Sequence, residues 1–497
     1  MLVSRSARGD RAVALLALLA SAAVSCGTTV PAGEVRAGSS GLATSNGDLG
    51  GPAGGSPVEQ PGAGATGGAV APPGPVTATA SASSPGTAST GADGSLSSAA
   101  KSGHGPVELG VEYFDSAAVE SEAKTFGYSA NPGDPYAEAQ ALVAWLNKHG
   151  GLAGHPVVPV YEQYPIGGDP TTFEQSACQA WTQDHHVVAV VYPQNFSGSG
   201  VLPACLAKAG VMLTGGADTY LNSSQLIAAG GFLDTPYMFA GDRWAGLLVD
   251  RLVAQHWFAT GARIGLISID GSTYATDATL ITRRLANYGL SVIDHAAIAD
   301  AQPQQDTQDC QNVGLRFAAD HISNVIVDDE GAVVELYCAP VFRTQQYYPK
   351  LSISSYDSPS TVQSIVPANQ LAGSAGIGWE PVNDVANPTL NTAGKRCIDI
   401  MRSAGQDVTA SAIEEAIAAA YCDGFFFLRQ AFAAAGSLSA AAVQQAIARL
   451  AGSYTSPATM AVRFAQGRYD GVAAVSDLSY QTSCSCYRYQ GQPVSAP

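Results

Sequence analysis

The stretch AWLNKHGGLAGHPVVPVYEQ (residues 144–163) decides the fold, because a helical pattern changes within it to a strand pattern. The helix is predicted to begin with Asp134 as N-cap and Pro135 as its first residue. Gly150 can adopt positive φ and ends it, and a strand at 157–161 follows the turn. The apolar positions at helical spacing, which would form its buried face, are Ala139, Leu142, Val143 and Leu146. The stretch is therefore an αβ junction of a β-α-β unit.

The same alternation of strand-like and helix-like segments runs through most of the chain. The expected strands are 108–114, 157–161, 187–192, 211–214, 263–269, 291–293, 325–327 and 350–354. The expected helices after the first are 172–182, 201–209, 274–288, 306–321 and 333–344, and a loop is expected between residues 114 and 134. Two successive runs of this kind predict two α/β lobes with parallel sheets.

Composition narrows the class of protein. The chain has 497 residues and a net charge of −17, and only 13% of its residues are charged, against ~25% in typical soluble domains. The length suits two lobes plus extensions. Because the chain is acidic and has no basic stripe, a nucleic-acid partner is not expected.

Residues 1–25 have the pattern of an export signal. Arg5, Arg8 and Arg11 precede an uncharged apolar run at 12–24, which is too short to span a bilayer of about 30 Å. The run ends in Ala-Val-Ser-Cys-Gly, which resembles a bacterial lipobox with Cys26 as the lipidated residue. An ordinary secretory signal with an incidental cysteine is the alternative, since Ala23 stands where a lipobox usually has Leu.

Residues 26–105 are predicted to form a disordered tether. After Cys26 they consist almost entirely of Gly, Ala, Ser, Thr, Pro and Val, without apolar periodicity. Such a segment cannot bury enough apolar surface to offset its ordering entropy. Its mean span would be about 50 Å, enough to hold a folded domain clear of a membrane.

The cysteines also fit an exported protein. Without Cys26, eight of the nine remain, an even number that predicts four disulfides, with inert buried thiols as the alternative. Two pairs flank a predicted strand at similar spacing, so we expect Cys178–Cys205 and Cys310–Cys338. The remaining pairs would be Cys397–Cys422 and Cys484–Cys486, with crossed pairings among these four left open. No Cys/His spacing typical of zinc occurs, and no metal is expected.

Residues 137–163 resemble the first helix and second strand of type I periplasmic binding proteins. The likeness is strongest to the Leu/Ile/Val-binding, amino-acid or amide group of ABC-transporter receptors. The matching positions at this junction are Asn147, Gly150, Gly151 and Gly154. Further matches are the loop 195–200 and the segments GVMLTGGADT (210–219), IGLISIDGSTYATD (264–277) and AYCDGFFFLRQAFAAAG (420–436).

The resemblance implies two Rossmann-like parallel-sheet lobes joined by three crossover strands. The crossings are expected near residues 236–241, 376–381 and 460–467. Lobe 1 would comprise 106–236 with about 381–458, and lobe 2 would comprise 237–380 with about 459–490. The solute would lie between the lobes at the carboxyl ends of the strands, and closure of the hinge would signal to a membrane partner.

The resemblance also implies a set of binding residues. In lobe 1, hydroxyls and backbone amides of the loop after the third strand, at Ser197, Gly198 and Ser199, would bind a ligand carboxylate. The next loop would supply the backbone carbonyl of Ala217 and the hydroxyl of Thr219 to the ligand. An ordinary loop of small residues without a binding role is the alternative. In lobe 2, Tyr274 would stack on the ligand. A carboxylate for a ligand ammonium would come from Asp329, Glu330 or Asp357, none of which aligns cleanly, and solvated surface acids are the alternative. Phe126 and Tyr128 would line the cleft or pack within their loop, and Trp379 is expected at the hinge.

These expectations describe an extracytoplasmic solute-binding lipoprotein. It would capture a small polar solute, such as an amino acid or amide, and deliver it to an ABC permease from a lipid anchor on the outer face of the cell membrane. No G-x-S-x-G or HExxH motif occurs, so neither an enzyme nor a cofactor is expected. An envelope sensor or interaction protein on the same fold is the alternative.

Overall fold

The computed structural model describes residues 104–125, 129–166, 169–192, 201–215, 220–299 and 303–496. The predicted signal and tether lie outside these residues. The strands are β1 (Val107–Phe114), β2 (Val157–Tyr164), β3 (Ala189–Tyr192), β4 (Met212–Gly215), β5 (Ile264–Ile269), β6 (Val292–Ile298), β7 (Asn324–Asp328), β8 (Lys350–Ser354), β9 (Ala375–Gly378), β10 (Ala474–Gln481) and β11 (Cys486–Ser495).

Helices connect most of these strands. They are α1 (Ser116–Thr125), α2 (Pro135–Lys148), α3 (Pro170–Gln179), α4 (Val201–Ala209), α5 (Ser223–Ala228), α6 (Gly241–Ala254), α7 (Ser272–Ala286), α8 (Pro303–Ala319), α9 (Ala339–Thr344), α10 (Pro359–Ile365), α11 (Ala368–Leu371), α12 (Pro381–Asp384), α13 (Thr392–Ser403), α14 (Ala412–Ala435) and α15 (Ala440–Leu450). Two π-helical turns, Ala180–Asp184 and Val334–Cys338, and a 3₁₀ turn, Ser355–Asp357, adjoin them.

The junction between α2 and β2 has the geometry that its sequence predicts. Asp134 caps α2 by accepting a hydrogen bond from the amide of Ala137, and Pro135 is the first helical residue. Asn147 joins the helix end to the strand, since its amide nitrogen donates to the carbonyl of Val157 at 2.9 Å and its oxygen accepts from the Val157 amide at 2.7 Å. At Gly151, φ is 64° and a Cβ would overlap the carbonyl oxygen of His155. Only glycine fits this turn.

Two sheets organise the chain. The first has the order β2-β1-β3-β4 and is parallel throughout. The second has the order β11-β10-β9-β8-β7-β5-β6. Its strands β5 to β9 are parallel, while β10 is antiparallel to β9 and β11 antiparallel to β10. The fold is thus α/β with two sheets, and the closing hairpin is an addition that the strand pattern did not predict.

Successive residues of β3 show how the first sheet is covered on both faces. Val190 packs in a cluster with α3 and α4, which includes Trp181 and Leu206. Val191 faces a second cluster, formed with α2 and the C-terminal helices α13 to α15. Both residues are fully buried, as expected for a parallel strand covered by helices on both faces. The C-terminal helices therefore complete the lobe that the N-terminal half begins.

The crossings between the two sheets meet at Trp379. Its side chain is fully buried and its indole N–H donates to the carbonyl of Tyr237 at 2.9 Å. Its own carbonyl accepts from the amide of Met460 at 3.0 Å and from the hydroxyl of Thr459 at 2.9 Å. One residue thus joins the segment after β9 to the segments near 237 and 460. Trp379 therefore lies where the three crossings meet, and its role at a hinge stays a prediction.

The prediction of a loop between residues 114 and 134 was wrong for the first half of that segment. Residues 116–125 form helix α1, and Asp115 accepts a hydrogen bond from the amide of Ala117 at its start. The segment SAAVESEAKT contains good helix formers. The Gly, Asn and Pro residues that indicated a loop lie further along, after residue 125.

The structure joins the eight remaining cysteines in the four expected pairs, including the two among the last four cysteines that the sequence left open. The Cα–Cα distances are 6.3 Å for Cys178–Cys205, 4.7 Å for Cys310–Cys338, 5.8 Å for Cys397–Cys422 and 5.2 Å for Cys484–Cys486. The first two pairs link helical segments on either side of β3 and β7, and the last closes the turn of the β10–β11 hairpin.

Among the described residues, no single helix has both the length and the apolar composition needed to cross a membrane, although α14 and α15, bent at 103° to each other, reach that threshold together.

We expect the two C-terminal disulfides to differ in their effect on stability. Cys397 and Cys422 are 25 residues apart, and loop-closure entropy predicts a loss of about 3 kcal/mol when both are replaced by Ala. Cys484 and Cys486 are only 2 residues apart, so the double replacement by Ser should cost about 1.5 kcal/mol. Urea unfolding of the oxidised protein measures both. Equal losses would contradict this explanation.

Candidate functional site

The carboxyl ends of the parallel strands in the second sheet carry a concentration of acidic side chains. Asp328 is the last residue of β7, and Asp329 and Glu330 follow it directly. Asp357 ends the 3₁₀ turn that follows β8. Asp277 lies in α7, the helix that follows β5. Because open α/β sheets bind ligands at this edge, these residues define the candidate site in lobe 2.

Tyr274 lies at this edge in the first turns of α7, with its ring stacked on Tyr220. The ring centres are 4.7 Å apart and the planes differ by 8°. Tyr220 is buried and its hydroxyl donates to Asp328 Oδ1 at 2.8 Å. One face of the Tyr274 ring is therefore covered by protein. The sequence analysis missed Tyr220, although it directly follows the predicted binding loop 210–219.

Glu330 is the candidate carboxylate that borders solvent. Its side chain is half-buried, whereas Asp329 and Asp357 are buried. Burial raises the pKa of the Tyr274 phenol, and so do the charge of Glu330 and its hydrogen bond to that phenol. A carboxylate and an aromatic ring thus stand side by side at the end of β7. Together they can bind a cationic group of a solute through charge and through the ring.

The other two candidate carboxylates lie together with a third that the sequence analysis missed. Carboxylate oxygens of Asp329, Glu335 and Asp357 are within 4.8 Å of one another, and all three residues are buried. Asp329 Oδ2 accepts from the amide of Val334 at 2.7 Å, and Asp357 Oδ2 accepts from the amide of Ser354. The interpretation of Asp329 and Asp357 as solvated surface acids is therefore wrong, because the fold buries both.

Burial raises the pKa of both Glu335 and Asp357, and the neighbouring carboxylates raise it further. Asp329 acts on Glu335, and Glu335 and Asp329 both act on Asp357. The sequence offered one signal for Glu335. It lies in VVELYC (333–338), in the first turn of the expected helix 333–344, where its neighbours Val334 and Leu336 are apolar.

Asp277 lies beneath the stacked tyrosines. A Cβ added at Gly241 would collide with the Asp277 carboxylate, so residue 241 has no room for a side chain. Burial raises the pKa of Asp277 from its ordinary value of 3.8 to about 8, with a further contribution from Asp242. The carboxyl of Asp277 is therefore protonated at neutral pH in the folded protein.

Most of the predicted lobe 1 residues lie outside the described residues. They are Ser197, Gly198, Ser199, Ala217 and Thr219, together with Phe126 and Tyr128 from the loop before α2. The strands that lead to the first two loops end side by side, since Tyr192 of β3 pairs with Gly215 of β4. The two loops therefore start at neighbouring points of the carboxyl edge of the first sheet. The binding roles of these residues remain predictions.

A separate groove of about 470 Å³ lies on the outside of lobe 1. Its lining includes Trp145 in the last turn of α2, with the guanidinium groups of Arg396 and Arg429 centred 4.7 and 5.7 Å from the indole ring. The last turn of a helix that connects parallel strands lies near the amino end of the next strand. This groove is therefore at the opposite edge from the candidate site.

The described fold is similar to solved structures of solute-binding proteins. A solute-binding protein of an ABC transporter from R. palustris, in complex with 4-hydroxybenzoate, is 13% identical with a TM-score of 0.59, covering 79% of this chain and 98% of its own. LivJ from Streptococcus pneumoniae, in complex with isoleucine, is 13% identical with a TM-score of 0.56, covering 78% and 99%. A branched-chain amino acid ABC transporter structure from Thermus thermophilus with bound valine is 12% identical with a TM-score of 0.58, covering 78% and 96%.

No protein-family profile and no curated protein sequence matches the chain. The structural similarity is therefore not accompanied by a sequence match, and at this level of identity it shows the fold alone. That fold is the two-lobed α/β architecture of type I periplasmic binding proteins, as the resemblance at residues 137–163 implied.

The raised pKa of Asp277 predicts a pH dependence of stability. A carboxyl with a pKa near 3.8 when unfolded and about 8 when folded contributes stability that is complete below pH 4 and is lost as the pH rises through 8. Asp277→Asn should therefore leave the unfolding temperature nearly unchanged at pH 4 and below and raise it relative to the native protein at pH 8 to 9. Thermal unfolding between pH 4 and 9 measures this, with the exposed Asp399→Asn as the control. Parallel curves for Asp277→Asn and the native protein would contradict the assignment.

Proposed function

We propose that the protein is an extracytoplasmic solute-binding protein that captures a small polar solute between its two lobes and delivers it to an ABC permease. The observation that carries the proposal is the half-buried Glu330 beside Tyr274 at the carboxyl end of β7. This pair lies at the edge where α/β sheets bind ligands. The two-lobed fold supplies the cleft, and the crossings that meet at Trp379 supply the hinge.

We propose that the solute carries both a cationic and an anionic group. Glu330 would bind the cationic group, an ammonium, next to the Tyr274 ring. The anionic group would be bound by Ser197, Gly198 and Ser199, and the next loop would supply the backbone carbonyl of Ala217 and the hydroxyl of Thr219 to the solute. This assignment makes an amino acid or a related amide the first class to test.

The ligands of the similar structures support this class in part. Isoleucine and valine carry an ammonium and a carboxylate, whereas 4-hydroxybenzoate carries a carboxylate alone. The carboxylate is common to all three. An acidic residue such as Glu330 favours the ligands that also carry an ammonium, because a carboxylate next to a ligand cation forms a charge-assisted hydrogen bond.

We also propose that the protein is anchored through a lipid on Cys26 to the outer face of the cell membrane. The arginine-rich start, the short apolar run and the small residues before Cys26 support this. The segment 27–105 would then connect the anchor to the two-lobed domain. The four disulfides formed by the other cysteines are consistent with an oxidising compartment outside the cytoplasm.

A solute of the proposed class should stabilise the protein against heat. Present at about 100 times its dissociation constant, it adds about 2.7 kcal/mol. We would measure thermal unfolding of the ligand-free protein with amino acids, amides, organic acids, sugars and nucleosides. Glu330→Gln should weaken binding of an ammonium-bearing solute by about 10- to 100-fold, because a hydrogen bond to a charged group contributes about 1.5–3 kcal/mol.

The control for this measurement is Asp399→Asn, which removes the same charge from the exposed surface of α13. It should leave the affinity unchanged. Folded, ligand-free protein that no solute stabilises would contradict the proposed function. Stabilisation by organic acids that Glu330→Gln leaves intact would support solute binding and contradict the role of Glu330.

The lipid anchor has a separate test. Cys26→Ser removes the residue to be acylated, so the variant should appear in the culture medium or the soluble envelope fraction instead of the membrane fraction. Metabolic labelling with a radioactive fatty acid should mark the native protein and leave the variant unmarked. Equal membrane association of both proteins would contradict lipidation at Cys26.

A further inference from the structure

Asp329, Glu335 and Asp357 form a buried cluster of three carboxylates. A bound cation would neutralise their negative charge. The three residues come from the end of β7, from the π-helical turn Val334–Cys338 and from the 3₁₀ turn after β8. At least one oxygen of each carboxylate lies within 4.8 Å of an oxygen of the other two. We propose that this cluster binds a divalent cation of the hard, oxygen-binding class, with Ca²⁺ as the preferred ion.

The distances fit such an ion. Three atoms that are no more than 4.8 Å apart share a central point within about 2.8 Å of each. Calcium binds oxygen ligands at about 2.3–2.6 Å and tolerates flexible geometry, whereas magnesium requires about 2.0–2.1 Å in a near-ideal octahedron. Small rotations of the carboxylates bring their oxygens to calcium distance. Calcium therefore fits the cluster better than magnesium.

Glu335 provides the independent observation that a ligand is required here. Its side chain is fully buried, and neither of its carboxylate oxygens has a hydrogen-bond partner among the described residues. Nearly all buried polar side-chain atoms in proteins are paired, and an ionised carboxylate without a partner is strongly unfavourable in a protein interior. Both Glu335 oxygens are thus available to a cation, and the other two carboxylates surround the same point.

Within the part of the chain that the structure describes, no positive charge neutralises Glu335 or Asp357. No Lys, Arg or His among the described residues forms an ion pair with either of them. The charged groups that act on these two are carboxylates, each other and Asp329. A bound cation or bound protons must therefore balance the cluster, and the two possibilities predict different behaviour.

Two of the three carboxylates are already oriented by the backbone. The amide of Val334 holds Asp329, and the amide of Ser354 holds Asp357 within a capping box. A hydrogen bond also joins the carboxyl groups of Asp329 and Asp357 to each other. A cation at this point would join the segment after β7 to the segment after β8. It would thereby fix the chain on both sides of Glu330, next to the proposed solute site.

Metal titration of the full mature protein tests the proposal. After treatment with EDTA, the protein should bind one Ca²⁺ with a dissociation constant of about 10⁻⁴–10⁻³ M or below, the range of extracellular calcium modules. Its unfolding temperature should rise with Ca²⁺ and fall again when EDTA is added. Mg²⁺ should bind more weakly. Tb³⁺, a luminescent substitute for Ca²⁺, should emit when the tyrosines and tryptophans of the protein are excited, and excess Ca²⁺ should quench this emission.

Glu335→Gln keeps the shape of the side chain and removes its charge. The variant should lose the Ca²⁺-dependent rise in unfolding temperature and at least 10-fold in Ca²⁺ affinity. In EDTA it should unfold at the same temperature as the metal-free native protein or above it, because repulsion within the cluster is reduced. A merely structural Glu335 would give the opposite result, a lower unfolding temperature with the Ca²⁺ response retained. Asp399→Asn is the control and should behave as the native protein does.

Two outcomes would overturn the proposal. In the first, folded native protein shows no response to Ca²⁺, Mg²⁺ or Tb³⁺, which would mean that protons alone balance the three carboxylates. In the second, Glu335→Gln binds Ca²⁺ as tightly as the native protein, which would place the ion elsewhere. Neither outcome affects the proposed solute binding, because the solute assay measures Glu330 in a separate titration.

Discussion

The burial of Trp379 at the crossings is the constraint on which the rest of the structure depends. The chain passes between the two sheets near residues 237, 379 and 460, and Trp379 is hydrogen-bonded to both of the other segments. Its ring also packs edge-to-face against Phe239 and Tyr356. These contacts hold the three crossing segments together, so the two sheets are joined at one place in the fold. The position of the candidate site follows from this arrangement.

The candidate site brings several buried acidic side chains close together. Asp277 and the cluster of Asp329, Glu335 and Asp357 are buried at the carboxyl edge of the second sheet, and Glu330 is half-buried beside them. Buried carboxylates are costly unless they are protonated or paired. Such groups therefore indicate function more strongly than surface acids do. We propose two roles for them, an ammonium site at Glu330 and a calcium site at the cluster of Asp329, Glu335 and Asp357.

Much of the fold could be predicted because its determinants are local. Asp134, Pro135 and the glycines after α2 act within a few residues of their own positions, and the helix and strand they delimit are where the sequence placed them. Helix α1 was not predicted because the glycine and proline residues that follow it indicated a loop for the whole segment between residues 114 and 134. The contact of Tyr220 with Tyr274 could not be predicted, since 54 residues separate them and only packing brings their rings together.

The sequence by itself determined most of the alternation of strands and helices from β1 to β8 and the two cysteine pairs that flank β3 and β7, because period, capping and spacing are properties of neighbouring residues. Only the tertiary structure decided which acids are exposed and which are buried together. Asp329, Glu330 and Asp357 looked equivalent in the sequence, yet Glu330 borders solvent while the other two meet Glu335 in the interior. The physical reason is that a carboxylate's environment depends on the distant segments packed around it, which no local pattern records.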